Sequence, residues 1–412
     1  MICLNKAVEY RKIRGDEEVM KMIEKTELEE LFSYAVEMRR ELHRYPEIGF
    51  DLDRTVALVK RELERSGIVY TDRYGRASVV ADIMPKASEG ERSSCDLMIA
   101  LRADMDALPI EEKNTLPFRS QIAGRMHACG HDAHTAVLLA VARYLKRHED
   151  ELCRPVRLIF QPSEESAESG AKMMVENGVM DGVGIVAATH VENDLDSGKI
   201  GICKGNYMAA CIPAKIRFIG RSAHAALPRE GIDAIAMAVD FYTEMKKEVE
   251  RLSEGERYIW SVGKFTGGTA HNVISDLCEL DISFRFYSYE FATRVEDSVK
   301  KVCRNIEEKY GGKCEIRFDM STGAVINDPE IATEFSSSLI KEGIPVEGLE
   351  QRMSSEDFGW YLTKAPGLIF RFGTRNEKLG CTSLVHTDSF MIDEEGMRFA
   401  IRAFSIFVDR FQ

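Results

Sequence analysis

A chain of 412 residues exceeds the roughly 250 to 300 residues at which a single hydrophobic core stops growing, so two domains are expected. Hydrophobic residues make up 44% of the chain and charged residues 30%, which is typical of a globular protein with enough apolar material for a large core. The net charge of −13 disfavours nucleic acid or an anionic membrane as a partner, because both require a basic binding surface.

The sequence has no apolar run of about 18 residues, and its N-terminal segment has no long apolar stretch after the basic residues. Its ten cysteines are scattered without a CxxC pair, which argues against a zinc ribbon and against a disulfide framework. We therefore expect a cytoplasmic protein in which most cysteines are small buried hydrophobic residues.

The first half of the chain alternates helices with short apolar runs. A helix of mixed charge is predicted at the N-terminus, and two amphipathic helices follow, ended by Pro46 and by Gly67. Next come the strands ASVVADIM and LMIALRA, the helix DAHTAVLLAVARYLKRHEDEL, the strand PVRLIFQ, the helix ESGAKMMVENG and the strand GIVAATH. This alternation predicts an α/β sheet with helices on both faces, and PKASEGERSSCD, Pro85 to Asp96, is predicted to be an exposed loop.

At about Met208 the order of elements changes. The next elements are the strand ACIPAKIRFIG, the helix GIDAIAMAVDFYTEMKKEVERL, the strands YIWSVGKFTGG and LCELDISFRFYS, the helix EFATRVEDSVKKVCRNIEEKYG and the strand KCEIRFDM. This βαββαβ order predicts a ferredoxin-like α+β domain at residues 208–324. The first pattern then resumes with a helix from Pro329 to Glu342, the strand GLIFRFG and a closing helix. Residues 1–207 and 325–412 are therefore predicted to form one α/β domain, interrupted by the insertion.

Chemically active side chains follow the apolar runs, at the strand ends where parallel sheets carry their functional residues. They are Arg102, Asp104 and Asp106 after one strand, Glu164 and Glu165 after another, and His190 after a third. Cys129 and His131 lie two residues apart before a helix, and an extended chain would point both side chains the same way.

A thiolate, two imidazoles and a carboxylate suit a borderline-soft divalent ion such as zinc, and His386 could add a further ligand. Each of these residues taken alone is more often a solvated or capping group. Together they predict a metal site, and the adjacent Glu164 and Glu165 predict a division of labour. One carboxylate would bind the ion, and the other would take a proton from its water.

Six motifs occur in a characteristic order: RADMDALP, MHACGHDAH, FQPSEE, GRSAHAALP, GGTAHNVIS and SSEDFGWY. They resemble those of the M20 metallopeptidases, and within them the branch of N-acyl-amino-acid and auxin-conjugate amidohydrolases. The resemblance extends from RRELHRYPEIGF to His386. It implies a zinc-peptidase-like catalytic α/β domain, with a mixed sheet covered by helices, and an inserted lid and dimerisation domain. It therefore also implies a homodimer formed through the lid.

The resemblance further implies two divalent ions, for which manganese, zinc, nickel and cobalt are all candidates. The implied metal ligands are Cys129, His131, Glu165, His190 and His386. Cys129 would bridge the two ions, and Glu164 would be the general base. Asp104 would orient a ligand from behind, or would form only an ordinary ion pair at the strand end. His134, one turn into the helix, would support the site or cap the sheet.

Three residues of the lid have implied roles toward the substrate. His224 would polarise the substrate carbonyl, from the same chain or from a partner subunit, while Asn272 and Arg285 would hold the substrate carboxylate. Arginine suits this bidentate task. The alternatives are that Asn272 caps a turn and that Arg285 faces solvent. Two departures from the family pattern, DISFR and the Asp388 of HTDSF, border the expected substrate pocket.

The predicted function is metal-dependent hydrolysis of the amide bond of a small N-acyl amino acid, giving a carboxylic acid and a free amino acid. One alternative is a metallo-dipeptidase that acts on small peptides. Another is a non-catalytic protein that binds acyl amino acids, although a binder has no use for a general base. A structural-zinc protein fits least, because structural sites are closed and typically cysteine-rich.

Overall fold

A computed structural model of the chain describes residues 23–86, 97–319 and 322–412. The predicted N-terminal helix of mixed charge and most of the predicted loop from Pro85 to Asp96 lie outside these ranges. Among the described helices, none has both the length and the apolar character needed to cross a membrane.

The described helices and strands fall into three consecutive parts of the chain. The first part contains α1 (Lys25–Arg44), α2 (Asp53–Arg65), β1 (Tyr70–Thr71), β2 (Val79–Ile83), β3 (Met98–Asp104), α3 (His131–Arg147), β4 (Val156–Gln161), α4 (Gly170–Glu176), β5 (Val183–Asp196), β6 (Ile200–Ile202) and β7 (Gly205–Met208). The middle part contains β8 (Ala210–Ile219), β9 (Ala223–His224), α5 (Ala234–Ser253), β10 (Ile259–Gly267), β11 (Val273–Ile274), β12 (Leu277–Phe286), α6 (Tyr289–Tyr310) and β13 (Lys313–Phe318). The last part contains β14 (Val325–Asn327), α7 (Pro329–Lys341), β15 (Val346–Gly348), α8 (Gly359–Leu362), β16 (Gly367–Arg375) and α9 (Glu395–Phe411).

The larger sheet has eight strands in the order β1-β2-β4-β3-β5-β16-β6-β15. Its central strands β4, β3, β5 and β16 run parallel, whereas β2 and β6 pair antiparallel with their neighbours β4 and β16. Successive side chains of β3 point to opposite faces: Ile99 and Leu101 join the core under α1, α3 and α9, while Ala100 joins the core under α4 and α8. The predicted mixed sheet with helices on both faces is confirmed.

The smaller sheet has four strands in the order β10-β12-β8-β13, and every neighbouring pair is antiparallel. Helices α5 and α6 pack on it through a separate core that includes Phe218, Phe241 and Phe284. This arrangement is the ferredoxin-like one, with the first strand of the unit in the interior of the sheet. The pairs β9/β11 and β7/β14 form two further small sheets, which the sequence did not predict because such short strands show no period.

The strand register brings the candidate residues to one level. Sequence reasoning predicted a strand end at His190, but β5 continues to Asp196 because its polar second half still pairs with β16. In the parallel pair of β3 and β5, Arg102 lies opposite Ala188, so His190 is level with Asp104, the last residue of β3. His190 therefore reaches the candidate site from within a strand.

Gly367 begins β16 where the backbone of β5 passes closest. A Cβ atom at Gly367 would lie 1.9 Å from the carbonyl oxygen of Val186, whereas a Cβ at Gly348, in the edge strand β15, would meet nothing within 4 Å. We predict that Gly367→Ala lowers the free energy of unfolding by about 1–3 kcal/mol, because β16 must shift, and that Gly348→Ala changes it by less than about 0.5 kcal/mol. Urea denaturation of both variants checks this, and equal stabilities would contradict it.

Candidate metal centre

The five residues predicted as metal ligands lie together. Ligand atoms of Cys129, His131 and His190 lie within 4.8 Å of one another, and so do those of Cys129, Glu165 and His386. Cys129 belongs to both groups, which is the arrangement expected of a residue between two ions. A further group of the same size joins His131 to Glu164 and Glu165.

A tight turn at Gly130 brings Cys129 and His131 together. Sequence reasoning predicted an extended chain between them, and that prediction is wrong: Gly130 has a φ of 85°, and α3 begins at the next residue. Glycine adopts this left-handed conformation without steric cost. A Cβ atom at Gly130 would also lie 2.7 Å from the side chain of Val191. The close approach of β5 therefore requires glycine between the two candidate ligands.

The candidate histidine ligands differ in how they are held. The Nδ1 atom of His190 lies 2.8 Å from the carbonyl oxygen of Val191, so Nδ1 carries the proton and Nε2 presents a lone pair, 3.3 Å from Cys129 Sγ. His131 is fully buried, yet neither of its ring nitrogens makes a hydrogen bond with the described residues. His386 lies on a loop with a φ of 64°, and its Nε2 is 3.1 Å from Glu165 Oε1.

Asp106 positions the two adjacent glutamates. Its Oδ1 accepts a hydrogen bond from the backbone N–H of Glu164, and its Oδ2 accepts one from the backbone N–H of Glu165, at 3.0 and 3.1 Å. The preceding Ser163 has a φ of 54°, so the chain turns sharply before the pair. Burial, followed by the nearby carboxylates of Glu356 and Glu165, raises the pKa of Glu164 well above its usual range.

A buried arginine lies behind the glutamates. Arg102 is fully buried and donates from Nη1 to Asp104 at 2.6 Å, and from Nη2 to Glu356 at 3.0 Å and Asp357 at 2.8 Å. Its Nε donates to Gln161 at 2.8 Å. Burial raises the pKa of Asp357 to about 7 in spite of this arginine.

The residues present fit divalent cations. Six acidic side chains surround the cluster, and Arg102 is the basic side chain that pairs with three of them. The acidic residues are Asp104, Asp106, Glu164, Glu165, Glu356 and Asp357. Burial disfavours the charged form of His131, yet the carboxylates of Asp104, Asp106 and Glu165 outweigh it and raise its pKa to about 10. A surplus of buried negative charge beside unbonded imidazole nitrogens is what cations would compensate.

Asp104 has a different partner from the one expected. Its Oδ2 is 3.7 Å from His131 Nε2, which is too far for a hydrogen bond, whereas its Oδ1 lies 2.6 Å from Nδ1 of His134. Asp104 also pairs with Arg102. The ion pair, one of the two alternatives that the sequence left open, is therefore present. The histidine that Asp104 contacts directly, His134, is not one of the five predicted ligands.

The three predicted lid residues have contacts other than those with the candidate ligands. His224 and Asn272 are exposed neighbours, joined by the N–H of Ala225 donating to the carbonyl oxygen of Asn272, and His224 pairs with Val273 across β9 and β11. Arg285 does not simply face solvent, because its Nη1 donates to the carbonyl oxygen of Met353 and to Ser355 Oγ, each at 2.9 Å. No hydrogen bond or ion pair among the described residues joins these three side chains to the candidate ligands.

Sequence reasoning gives no role to four residues around the cluster: Asp106, Gln161, Glu356 and Asp357. The last two belong to the motif SSEDFGWY, which contributes to the resemblance only. Asp106 was recognised from the sequence as a polar residue at a strand end, but its hydrogen-bond partners, the N–H groups of Glu164 and Glu165, were not predicted. These polar and acidic residues are visible in the sequence, but their partners are not. The contacting residues are up to 255 positions apart, as in the pair of Arg102 and Asp357, and a single sequence does not show which residues pair.

Comparisons with known proteins identify the family. The model of peptidase family M20/M25/M40 matches residues 100–410. The chain is 33% identical over 390 residues to thermostable carboxypeptidase 1 of Saccharolobus solfataricus, covering 94% of this chain and 98% of the relative. It is 38% identical over 304 residues to an N-acyl-L-amino acid amidohydrolase of Geobacillus stearothermophilus, covering 74% and 80%.

Among solved structures, the YXEP protein of Bacillus subtilis, described as a dinuclear metal binding peptidase, is similar with a TM-score of 0.78. The two chains are 31% identical, with 92% of this chain and 98% of that chain covered. The chain therefore belongs to peptidase family M20/M25/M40, as its motifs predicted. Peptidases hydrolyse amide bonds, so the predicted class of enzyme is confirmed with the family.

Arg102 provides a test of the carboxylate cluster. We predict that Arg102→Met lowers the free energy of unfolding by about 3–5 kcal/mol, because three buried carboxylates lose their basic partner. Arg102→Lys should cost less, since it keeps the charge. Arg229→Met, at an exposed position, is the matched control and should have almost no effect. Urea denaturation measures all three, and an Arg102→Met variant as stable as the control would contradict the prediction.

Proposed function

We propose that this chain hydrolyses the amide bond of N-acyl amino acids, releasing a carboxylic acid and a free amino acid. The observation that carries the proposal is the buried cluster of Cys129, two histidines and Glu165 with a second glutamate, Glu164, beside it. The 38% identity to a relative named N-acyl-L-amino acid amidohydrolase supports this substrate class.

The proposed site holds two divalent ions, which could be manganese, zinc, nickel or cobalt. Cys129, His131 and His190 would bind one ion, and Cys129, Glu165 and His386 the other, in agreement with the two groups that share Cys129. When bound, such ions lower the pKa of water and polarise a carbonyl oxygen. His190 supports this role through its bond to Val191 O, which leaves Nε2 free as a ligand atom.

Glu164 is proposed to be the general base. Its carboxylate oxygen lies 3.9 Å from His131 Nε2, beside the candidate ligands, and its backbone is fixed by Asp106. It would remove a proton from the attacking water and deliver the same proton to the leaving nitrogen. Its neighbour Glu165 lies 3.8 Å from the same histidine nitrogen and would remain a metal ligand.

The lid is proposed to bind the rest of the substrate. Arg285 uses only Nη1 for bonds to the described residues, so Nη2 and Nε could hold a carboxylate. Asn272 would share that task. His224, exposed on the same small sheet as Asn272, would stabilise the oxyanion of the tetrahedral intermediate. Reaching the cluster requires lid movement or a partner subunit, because no described contact joins His224 to it.

We also propose a homodimer through the lid at residues 208–324. Strand β10 is an edge of the four-stranded sheet, and its exposed side chains include Ile259 and Phe265. Helix α5 adds an exposed apolar row at i, i+4 and i+7, namely Ile235, Val239 and Tyr242. The opposite edge strand, β13, exposes charged side chains, which oppose strand pairing. A second copy at β10 would bury this apolar surface.

We propose a location in the reducing cytoplasm. Its support is the set of free thiols at Cys129, Cys203, Cys278, Cys303, Cys314 and Cys381.

Glu164→Gln tests the catalytic assignment. We predict that this variant loses turnover of N-acetyl amino acids by at least about a hundredfold, because an amide cannot accept the proton, while it still binds metal. The control is Glu168→Gln, an exposed glutamate in the same loop, which should keep full turnover. Amino-acid release and metal content measure both effects, and retention of more than a few per cent of activity would exclude Glu164 as the base.

Phe265→Lys tests the dimer. We predict that it converts the dimer to a monomer, because two lysines would be buried without partners at the shared edge. Ile340→Lys is the matched control, since Ile340 is also an exposed apolar residue, 62% accessible, but lies on α7 outside the lid. Sedimentation equilibrium measures the molecular mass of both variants in solution, and Ile340→Lys should remain a dimer. An unchanged dimer in Phe265→Lys, or a wild-type monomer, would contradict the assignment of this edge.

A further inference from the structure

His134 is a fully buried histidine with both ring nitrogens bonded. It lies in a group with Asp104 and His131, but it belongs to neither of the two candidate ligand groups that contain Cys129. Its Nε2 accepts a hydrogen bond from the backbone N–H of Val191 at 2.9 Å, and its Nδ1 lies 2.6 Å from Asp104 Oδ1. A backbone N–H can only donate, so Nε2 carries the lone pair and Nδ1 carries the proton. These contacts leave His134 no free nitrogen for a metal ion.

The other polar group of Val191 serves a second histidine. The carbonyl oxygen of Val191 accepts from Nδ1 of His190 at 2.8 Å, and Arg371 Nη1 donates to the same oxygen at 3.4 Å. The rings of His134 and His190 are also in contact, with their centroids 4.5 Å apart. One residue of β5 therefore links the two imidazoles, by its N–H on one side and its C=O on the other.

A continuous series of contacts thus leads from a buried ion pair to a candidate ligand. Arg102 holds Asp104, Asp104 accepts from His134, and His134 accepts from Val191 N. Val191 O then fixes the ring of His190, whose Nε2 lies 3.3 Å from Cys129 Sγ. His131, in contrast, has as such support among the described residues only the longer contact of its Nδ1 with Asp106 Oδ1, at 3.4 Å.

We propose that His134 is a positioning residue for His190: by holding the backbone of Val191 it sets the direction in which Nε2 of His190 faces the ion. This inference rests on the proposed metal site and assigns Asp104 an indirect role, acting through His134. A merely structural role would predict that changes at His134 alter stability but not metal affinity. Contacts of this kind behind a metal ligand typically change affinity by about 10- to 100-fold.

Two conservative variants separate the two bonds of His134. Glutamine can place an acceptor near the position of Nε2 and keep the bond to Val191 N, whereas asparagine can place a donor near Nδ1 and keep only the bond to Asp104. We expect His134→Asn to weaken Co²⁺ binding at one of two equivalents by about 10- to 100-fold. The other equivalent should not change, because His190 belongs to one ligand group only.

The measurement is a titration of the full chain with Co²⁺ against a competing chelator, followed by the absorption of the cobalt–thiolate bond. The Co²⁺ affinity of His134→Gln should stay within about tenfold of the wild-type value. The control is His148→Asn, a change at the C-cap of the same helix, which should bind Co²⁺ with wild-type affinity. Should His134→Asn fail to fold, His134→Gln still decides, since a loss beyond that limit contradicts the path through Val191.

Two results would overturn the inference in distinguishable ways. Wild-type affinity for both equivalents in a folded His134→Asn variant would refute the positioning role and leave the proposed metal site intact. Failure of the wild-type chain itself to bind Co²⁺ would refute the metal site and the positioning role together.

Discussion

The guanidinium of Arg102 lies in the interior among the carboxylates of Asp104, Glu356 and Asp357. A buried carboxylate is costly without a basic partner, so this one side chain permits three acidic residues from two segments, one at the end of β3 and two at the adjacent positions 356 and 357. Asp104 in turn accepts a hydrogen bond from His134, in the first turn of α3, the helix that begins at His131. Asp357 accepts hydrogen bonds at the start of α4, from Ser169 Oγ and from the backbone N–H of Ala171.

The same constraint shapes the chemistry. Arg102 compensates the carboxylates of Asp104, Glu356 and Asp357. Among the described residues, the ion-pair partners of Glu164 and Glu165 are histidines. Cations at the cluster would supply that missing charge, and the unbonded nitrogens of His131 would become ligands. Arg102 therefore stabilises the site through hydrogen bonds to Asp104, Glu356 and Asp357. It makes no such bond to the two adjacent glutamates, whose charge bound ions would compensate.

The sequence predicted the large features well because periodic apolar patterns report burial directly. The helices around Val59 and Leu138 and the strands around Leu101 and Ile159 occur as expected. The five candidate ligands remain a prediction, made because thiol, imidazole and carboxylate groups at strand ends narrow the choice of chemistry, and the fold brings their ligand atoms together. The turn at Gly130 was missed, because a single glycine letter does not reveal its φ of 85°.

The remaining parts of the site depend on long-range contacts. Asp104 was expected to support a metal ligand, but its actual partner, His134, is selected by the packing of α3 against β5. Glu356 and Asp357 are about 250 residues from Arg102, and no local pattern pairs them. The position of the lid residues relative to the cluster is likewise a tertiary property, which periodicity does not encode.

The most direct test of the account is the release of free amino acid from N-acetyl and N-benzoyl amino acids, and from dipeptides with a free amine, by manganese- or zinc-loaded protein and by its chelated form. We expect release from the acylated substrates that disappears on chelation and returns with metal, with little cleavage of the dipeptides. Cleavage of the dipeptides alone would contradict the substrate class and favour a metallo-dipeptidase. No release from any substrate by protein with metal bound would contradict the catalytic function itself.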